Sequence, residues 1–261
     1  MLEIAGFLLS GATLVSAAVQ DHRSREVDDI HWAVVAGGGS ILASASDPMG
    51  LGQEASFCIL AASLLLTAYM LSEELSGTRA IPVVSTAGVL YLMSYWISGS
   101  AIVFASPSLF ALFSSMYWFR ILRGGADAKA MMSLALAYPI GIFPLSVLFL
   151  ATMLSMLYMV PVMRRNGWRM STTFEVPLSE AVNMHVWPVE DVIGGEVIRV
   201  PVPDDPGEVY ARLSSHGCGS VRVTPMVPFI VPIATAFLIL ASIGTESIGN
   251  LCFWEVFMNC I

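Results

Sequence analysis

The sequence carries little charge for its length. Of 261 residues, only 12% are Asp, Glu, Lys or Arg, whereas 56% are hydrophobic and the mean hydropathy is +0.74. Soluble domains carry about 25% charged residues, so this composition excludes an ordinary soluble domain and indicates a polytopic membrane protein. The formal net charge of −8 also argues against nucleic acid as a partner, because nucleic-acid binding favours a clustered basic face.

Cysteine is scarce too, and the four residues form no CxxC pair: Cys58, Cys218, Cys252 and Cys260. This spacing argues against a zinc site, a redox motif or a disulfide framework, and it favours free thiols. The HExxH motif of zinc site-2 proteases and the GxSG motif of rhomboid proteases are absent. The histidines have no ligand spacing: His22, His31, His185 and His216. We therefore predict no metal and no cofactor.

Long apolar runs dominate the chain. A bilayer span needs about 20 apolar residues, within a range of about 17 to 25. The runs predict about eight transmembrane helices: 2–20, 31–46, 55–72, 81–104, 107–122, 127–142, 145–163 and 226–244. The first run has Glu3 where a secretory signal has a basic residue, so we expect a retained helix.

The basic residues support this topology. If the N-terminus lies outside, all 12 Lys and Arg residues fall in inside loops, while the outside loop 47–54 carries none. Cytoplasmic loops of membrane proteins are enriched in Lys and Arg. The arrangement also predicts that Asp21 and Asp127 lie on the same, cytoplasmic, side of the membrane.

The only sizeable polar segment is 166–224, and its pattern is mixed. Residues 197–202 follow the turn Gly194-Gly195 and predict a strand, and 220–223 predict another. Asp205-Pro206 predicts a capped helix through Leu213. The predicted fold is thus an all-α polytopic bundle with a small α+β cytoplasmic segment before the last helix. Its parts are a bundle at 1–165, the cytoplasmic segment at 166–224, and a final helix with its tail at 225–261.

Two aspartates stand at the ends of apolar runs. Asp21 closes the first, and Asp127 opens a later one within Gly124-Gly125-Ala126-Asp127-Ala128-Lys129. A carboxylate near membrane depth is costly and is usually retained for function. The plainer interpretations are a charged juxtamembrane turn for Asp21 and an ordinary helix N-terminal residue for Asp127, where the helix dipole favours negative charge. Lys129 equally fits a basic anchor at the cytoplasmic face.

These motifs resemble the type IV prepilin peptidase family of membrane aspartyl proteases, including the archaeal preflagellin peptidases. In that family, one catalytic Asp follows the first helix and precedes a basic stretch, as Asp21 does before Arg23 and Arg25. The second Asp lies in a GxGD motif, which 124–127 resembles with Ala126 in place of the second Gly. The proline-rich entry 223–232 is similar to that of the last helix in the archaeal branch.

The resemblance implies a membrane-embedded aspartic endopeptidase at the cytoplasmic face. Asp21 and Asp127 would be the catalytic pair, and Gly124, Gly125, Ala126 and Lys129 would support the motif. The substrates would be pilin-like or flagellin-like precursors with short leader peptides. The cysteine pairs and methylase region of the bacterial branch are absent, which implies a cleavage-only enzyme without zinc or S-adenosylmethionine.

Two other function classes fit parts of the sequence. An ion- or proton-coupled transporter would use the same aspartates, but it predicts inverted repeats and helices broken at mid-membrane. We find no matching halves, and both aspartates fall at the ends of runs. A non-catalytic membrane scaffold would bind a partner through 166–224 and would leave both aspartates dispensable.

Overall fold

A computed structural model describes residues 2–47, 50–72, 80–122, 124–138, 143–157, 160–161, 164, 173–203, 205–226 and 228–243. The chain divides into two units. The first is Met1–Thr152 with Phe229–Ile261, and the second is Met153–Pro228. The predicted C-terminal tail, 244–261, lies outside the described residues.

The first unit is helical. Its helices are α1 (Leu2–Ser24), α2 (Asp29–Ala33), α3 (Gly39–Ser46), α4 (Gln53–Leu71), α5 (Ala80–Ser98), α6 (Ala105–Trp118), α7 (Gly125–Ala137), α8 (Phe143–Leu157) and α11 (Ile230–Ile243). A π-helical turn, Val34–Gly38, joins α2 to α3, and a 3₁₀ turn, Ala101–Phe104, leads into α6. The unit boundary falls within α8.

Four helical segments of the described chain are long and apolar enough to cross a membrane: Ile4–Ser24, Gln53–Leu71, Ala80–Ser98 and Ala101–Trp118. Two more, α8 and α11, are apolar but shorter. A helix lies at each of the eight predicted positions, but the count of eight full-length spans is not supported. α5 turns many large apolar side chains outward, such as Val89, Leu92 and Trp96, which suits a lipid environment.

Backbone breaks explain where the predicted boundaries were wrong. The run 127–142 is cut at Ala137, because Tyr138 precedes Pro139 and a residue before proline avoids the helical conformation. The predicted span 81–104 stops at Ser98, since Gly99 takes a left-handed φ of 66°. α6 ends at Trp118, two residues before Arg120 with φ 57°.

Helix α7 lies at the centre of the first unit, and small residues let its neighbours approach it. It contacts α2, the π-helical turn, α3, α4, α6 and α11, and nine of its 13 residues are buried. A Cβ placed on Gly39 of α3 would stand 3.3 Å from the Cα of Ala137. The Ser40 hydroxyl donates a hydrogen bond to the Leu136 carbonyl at 3.1 Å. Close backbone approach through small residues is typical of membrane helices.

The second unit is a small α+β fold. Its elements are β1 (Phe174–Pro177), α9 (Leu178–Ala181), β2 (Val186–Pro188), β3 (Glu190–Ile193), β4 (Glu196–Arg199), α10 (Pro206–Ser215) and β5 (Ser220–Pro225). The strands form an antiparallel sheet in the order β1-β5-β2 and a separate β3–β4 hairpin. One face of α10 packs Val209, Tyr210 and Leu213 into an apolar core with Val221 and Val223.

Several predicted details of this segment are observed. Gly194 and Gly195 take left-handed φ values and form the β3–β4 turn. The Asp205 carboxylate accepts a hydrogen bond from the Gly207 N–H at 2.8 Å and caps α10, which begins at Pro206. The strand predicted over 197–202 ends at Arg199 and forms β4. In the same unit, the Arg212 guanidinium donates hydrogen bonds to both oxygens of Asp191 and holds the pKa of that carboxyl below its ordinary value.

Candidate active site

Asp21 and Asp127 lie at the same end of the helical unit. Asp21 is in the last turn of α1 and is only 8% exposed, and Asp127 is in the first turn of α7 and is partly exposed. The two carboxylates are close enough for their charges to repel one another. Two such groups do not ionise independently, and the pair retains a proton that an isolated carboxyl would lose.

The pair forms because α1 and α7 meet at both of their ends. At the far end, the Tyr138 hydroxyl donates to the Gly6 carbonyl at 2.9 Å, and the Tyr138 ring stacks on Phe7 with centroids 4.8 Å apart. Phe237 of α11 packs on the same rings. Because the beginning of α1 is held at the end of α7, the two helices run in opposite directions. The end of α1 and the beginning of α7, which carry the aspartates, therefore come together.

Burial makes a negative charge on Asp21 costly, and neighbouring groups offset only part of that cost. The backbone N–H of Ile230, the first residue of α11, donates a hydrogen bond to its carboxylate. The positive charge of Arg25, four residues further along the chain, attracts the same group. Its other oxygen, Oδ2, is buried and has no hydrogen-bond partner among the described residues.

The surroundings of Asp127 differ, because none of the described residues offsets its negative charge with a basic group or an N–H. Its carboxylate folds back over the Cα of Gly124, the residue before α7. A Cβ at position 124 would lie 2.9 Å from Asp127 Cγ and would contact Oδ2 even more closely. Gly124 has φ −78° and ψ 124°, a conformation open to any residue. The glycine is therefore required for space and not for backbone freedom.

The remaining motif residues lie beside the pair and not between its members. A Cβ on Gly125 would meet only the Tyr117 hydroxyl, at 4.0 Å, which is ordinary contact. Lys129 turns to α2, where its Nζ lies 2.6 Å from Asp29 Oδ1. Lys129 therefore forms an ion pair that links α7 to α2. Ala126, in the position of the second Gly of GxGD, is half-buried within the first turn.

Sequence reasoning noted Arg25 only as part of a basic stretch, and it did not identify Ile230 at all. Arg25 lies four residues after Asp21, but it stands beyond the end of α1 with a left-handed backbone, so helical spacing does not place it. No local signal predicts Ile230, because its N–H reaches Asp21 only through the packing of α1 against α11.

Among the described residues, no group of three or more His, Cys, Asp and Glu side chains is arranged to hold a metal ion. What the site offers chemically is a pair of interacting carboxylates. No protein-family model matches the chain, and no curated protein sequence matches it.

Proposed function

We propose that this protein is a membrane-embedded aspartic endopeptidase that removes short leader peptides from pilin-like or flagellin-like precursors at the cytoplasmic membrane face. The observation that supports this most is that Asp21 and Asp127, which are far apart in the sequence, lie at the same end of the helical unit, where Lys129 of α7 also pairs with Asp29 of α2. We further propose that the shorter helices complete a multi-pass bundle of about eight segments.

In this proposal the carboxylate pair activates water. The ionised member takes a proton from a water molecule, whose oxygen attacks the scissile carbonyl carbon. The protonated member gives its proton to the carbonyl oxygen, forming a tetrahedral intermediate. When the C–N bond breaks, the first carboxyl gives its proton to the leaving amine, and the second takes back a proton from a hydroxyl of the intermediate as the new carbonyl forms. Because the two carboxyls together start and finish with one proton, the pair is restored after each cleavage.

The placement of the pair suits a peptide substrate that approaches from the membrane surface. Asp127 is partly exposed, and both aspartates lie in terminal turns, as expected for a peptidase that meets the leader where it leaves the bilayer. A transporter would place its acidic residues at mid-membrane. Water activation by two carboxyls needs neither a metal nor a cofactor.

The first prediction concerns the pair itself. Asp21→Asn and Asp127→Asn each remove an acid–base group with little change in volume. We therefore expect each to reduce the rate of leader cleavage by about 1000-fold, the usual effect of losing one acid–base group. The measurement is cleavage of a panel of prepilin-like and preflagellin precursors by membranes that contain equal amounts of each variant.

The matched control is Asp205→Asn, which preserves the cap of α10 because Asn caps helices as well as Asp does. It should cleave like the wild type. Cleavage that persists in either of the first two variants removes that residue from the mechanism. Wild-type protein that is folded yet cleaves no precursor would contradict the proposal, and ion flux in vesicles that depends on Asp21 would then favour a transporter.

A further inference from the structure

The short helix α2 lies beside both helices that carry the aspartates. Within the described part of the chain, α1 and α7 share few direct contacts, whereas each of them packs against α2, the π-helical turn and α3. These three consecutive segments therefore form a layer that both helices contact. The spacing of Asp21 and Asp127 depends on how this layer is attached to α1 on one side and to α7 on the other.

On the side of α1, the beginning of α2 is bonded to two successive helical turns. The Gln20 side-chain amide donates to the Asp28 carboxylate at 2.8 Å, and the Asp28 backbone N–H donates back to the Gln20 side-chain oxygen at 3.3 Å. One turn earlier, the Ser16 hydroxyl lies 3.2 Å from His31 Nε2, while His31 Nδ1 donates to the Asp28 carbonyl at 3.1 Å. Because Asp28 directly precedes α2, these bonds hold the beginning of α2 beside the last turns of α1.

On the side of α7, α2 is again bonded to two successive turns. Lys129 Nζ lies 2.6 Å from Asp29 Oδ1. One turn further along α7, the buried Ser133 hydroxyl donates to the Trp32 carbonyl at 3.4 Å. Lys129 stands only two residues after Asp127, so the ion pair attaches to α2 the same end of α7 that carries the second carboxylate.

The size and exposure of these elements indicate a role in geometry more than in stability. A helix of five residues is too short to be stable alone, because the first turn of a helix is costly to form. α2 therefore takes its place from the contacts on its two sides. Asp29 is 47% exposed, and exposed ion pairs add little to the stability of a protein. The Asp29–Lys129 pair can still decide where α7 begins.

We propose that α2 is a brace that sets the spacing of Asp21 and Asp127, and that Asp29 is the positioning residue that attaches the beginning of α7 to this brace. Asp29 acts through Lys129 and not on the substrate. Gln20 does the same on the other side, where it attaches the end of α1 to Asp28. The consequence for cleavage rests on the proposed peptidase function, whereas the spacing of the two helix ends does not.

Distances between two spin labels test the brace without any substrate. The labels are attached at Arg23→Cys, in the last turn of α1, and at Gly125→Cys, at the beginning of α7, in the full-length protein with its four native cysteines changed to Ser. Both positions are exposed. We expect Asp29→Asn and Lys129→Gln each to lengthen or broaden the distribution of distances, because α7 loses its ion pair with α2. The charge-swapped variant Asp29→Lys/Lys129→Asp should return the distribution to that of the labelled parent protein.

Glu54→Gln is the matched control, because Glu54 is also an exposed acidic residue in the first turn of a helix, α4. It should leave the distribution unchanged. If Asp29→Asn and Lys129→Gln also left it unchanged, the proposal would be overturned, even if both variants had lower thermal midpoints.

The bonds between α1 and α2 can be tested in the same labelled protein. Gln20→Glu keeps the size of the side chain but places a second carboxylate against Asp28, so it should also lengthen or broaden the distribution. Gln20→Glu/Asp28→Asn exchanges the donor and the acceptor and should restore it. An unchanged distribution in Gln20→Glu would contradict the attachment of α1 to the brace.

The cleavage assay measures the consequence for the site. Asp29→Asn should lower kcat by about tenfold, because small misplacements of catalytic groups are costly, and it should leave KM nearly unchanged. The charge-swapped variant should recover most of kcat. A loss of kcat that the charge swap does not recover would contradict the positioning role. If the wild type cleaved no precursor, the peptidase function would fail, while the label distances would still decide whether α2 sets the spacing of the two helix ends.

Discussion

At the scale of single residues, the site depends on a glycine that has no side chain as much as on the two carboxylates. The Asp127 carboxylate occupies the space that a Cβ would fill on Gly124, whereas Gly125 faces open space apart from the Tyr117 hydroxyl. Of the two adjacent glycines in the motif, the structure therefore assigns a steric role to only the first. This distinction is invisible in the sequence, where both glycines are equally conspicuous.

The two glycines form a matched pair for mutation. Gly124→Ala should displace the Asp127 carboxylate and reduce leader cleavage at least tenfold, because small misplacements of catalytic groups are costly. Gly125→Ala should leave activity unchanged, and its effect on stability should be neutral or favourable because alanine suits a helix better than glycine by up to about 1 kcal/mol. The measurements are kcat/KM and the thermal midpoint in the same detergent. Equal effects at the two positions would contradict the steric account.

At the scale of elements, α7 is held by close packing against the π-helical turn and α3, and by hydrogen bonds to neighbouring backbones. The Ser133 hydroxyl donates to the Trp32 carbonyl, and Ser40 donates to Leu136. Gly39 is the tightest glycine in this contact, because an added Cβ would stand 2.5 Å from the Cβ of Ala137. The position of α7, and with it that of Asp127, therefore depends on a backbone contact at Ala137, roughly three helical turns from Asp127.

Gly39→Ala should push α3 and α7 apart. We expect a loss of about 1 to 3 kcal/mol, the usual cost of an overpacked contact, seen as a lower thermal midpoint of the purified protein. Gly88→Ala is the control in α5, since a Cβ there meets nothing within 4 Å, and it should not lower the midpoint. If Gly39→Ala were as stable as the wild type, the α3–α7 contact would be looser than described.

Sequence reasoning located helices well and their ends less well, for physical reasons. Apolar runs predict helices because a segment that crosses lipid is apolar along its whole length, and this can be read from the local sequence. Pro139 was a usable signal for the end of α7, but Arg120 in a left-handed conformation was not, since nothing in its type favours that backbone. The strands β1 and β2 were missed because they are short and pair with the distant β5. Asp21 and Asp127 were predicted from their positions at the ends of runs, whereas the Gln20–Asp28 hydrogen bond near the end of α1 had no local signal.

At the scale of the whole helical unit, the path of the chain decides which loops share a side. The end of α1 and the beginning of α7 meet at the aspartates. After α1 the chain passes along the unit once more, through α2 and α3, so the loop after α3 is predicted at the opposite end. The positive-inside pattern predicts that the aspartate end faces the cytoplasm. Four helical segments have the length to make such a passage through a bilayer.

Cysteine labelling measures this arrangement directly. In a background with Cys58, Cys218, Cys252 and Cys260 changed to Ser, we expect Glu26→Cys and Gly125→Cys to react with a membrane-impermeant maleimide only in inverted vesicles. Gln53→Cys should react only in right-side-out vesicles. All three positions are exposed. Reaction of Glu26→Cys and Gly125→Cys from opposite sides would contradict the meeting of α1 and α7 at the aspartates.

The hydrogen bond from Ile230 to Asp21 also has a consequence for the order of events during biosynthesis. Asp21 leaves the ribosome early, Asp127 follows after five more helices, and Ile230 comes only after the second unit. Until then, Asp21 lacks the backbone donor that supports its charge. In a nascent chain, the surroundings of Asp21 therefore stay incomplete until α11 is in place.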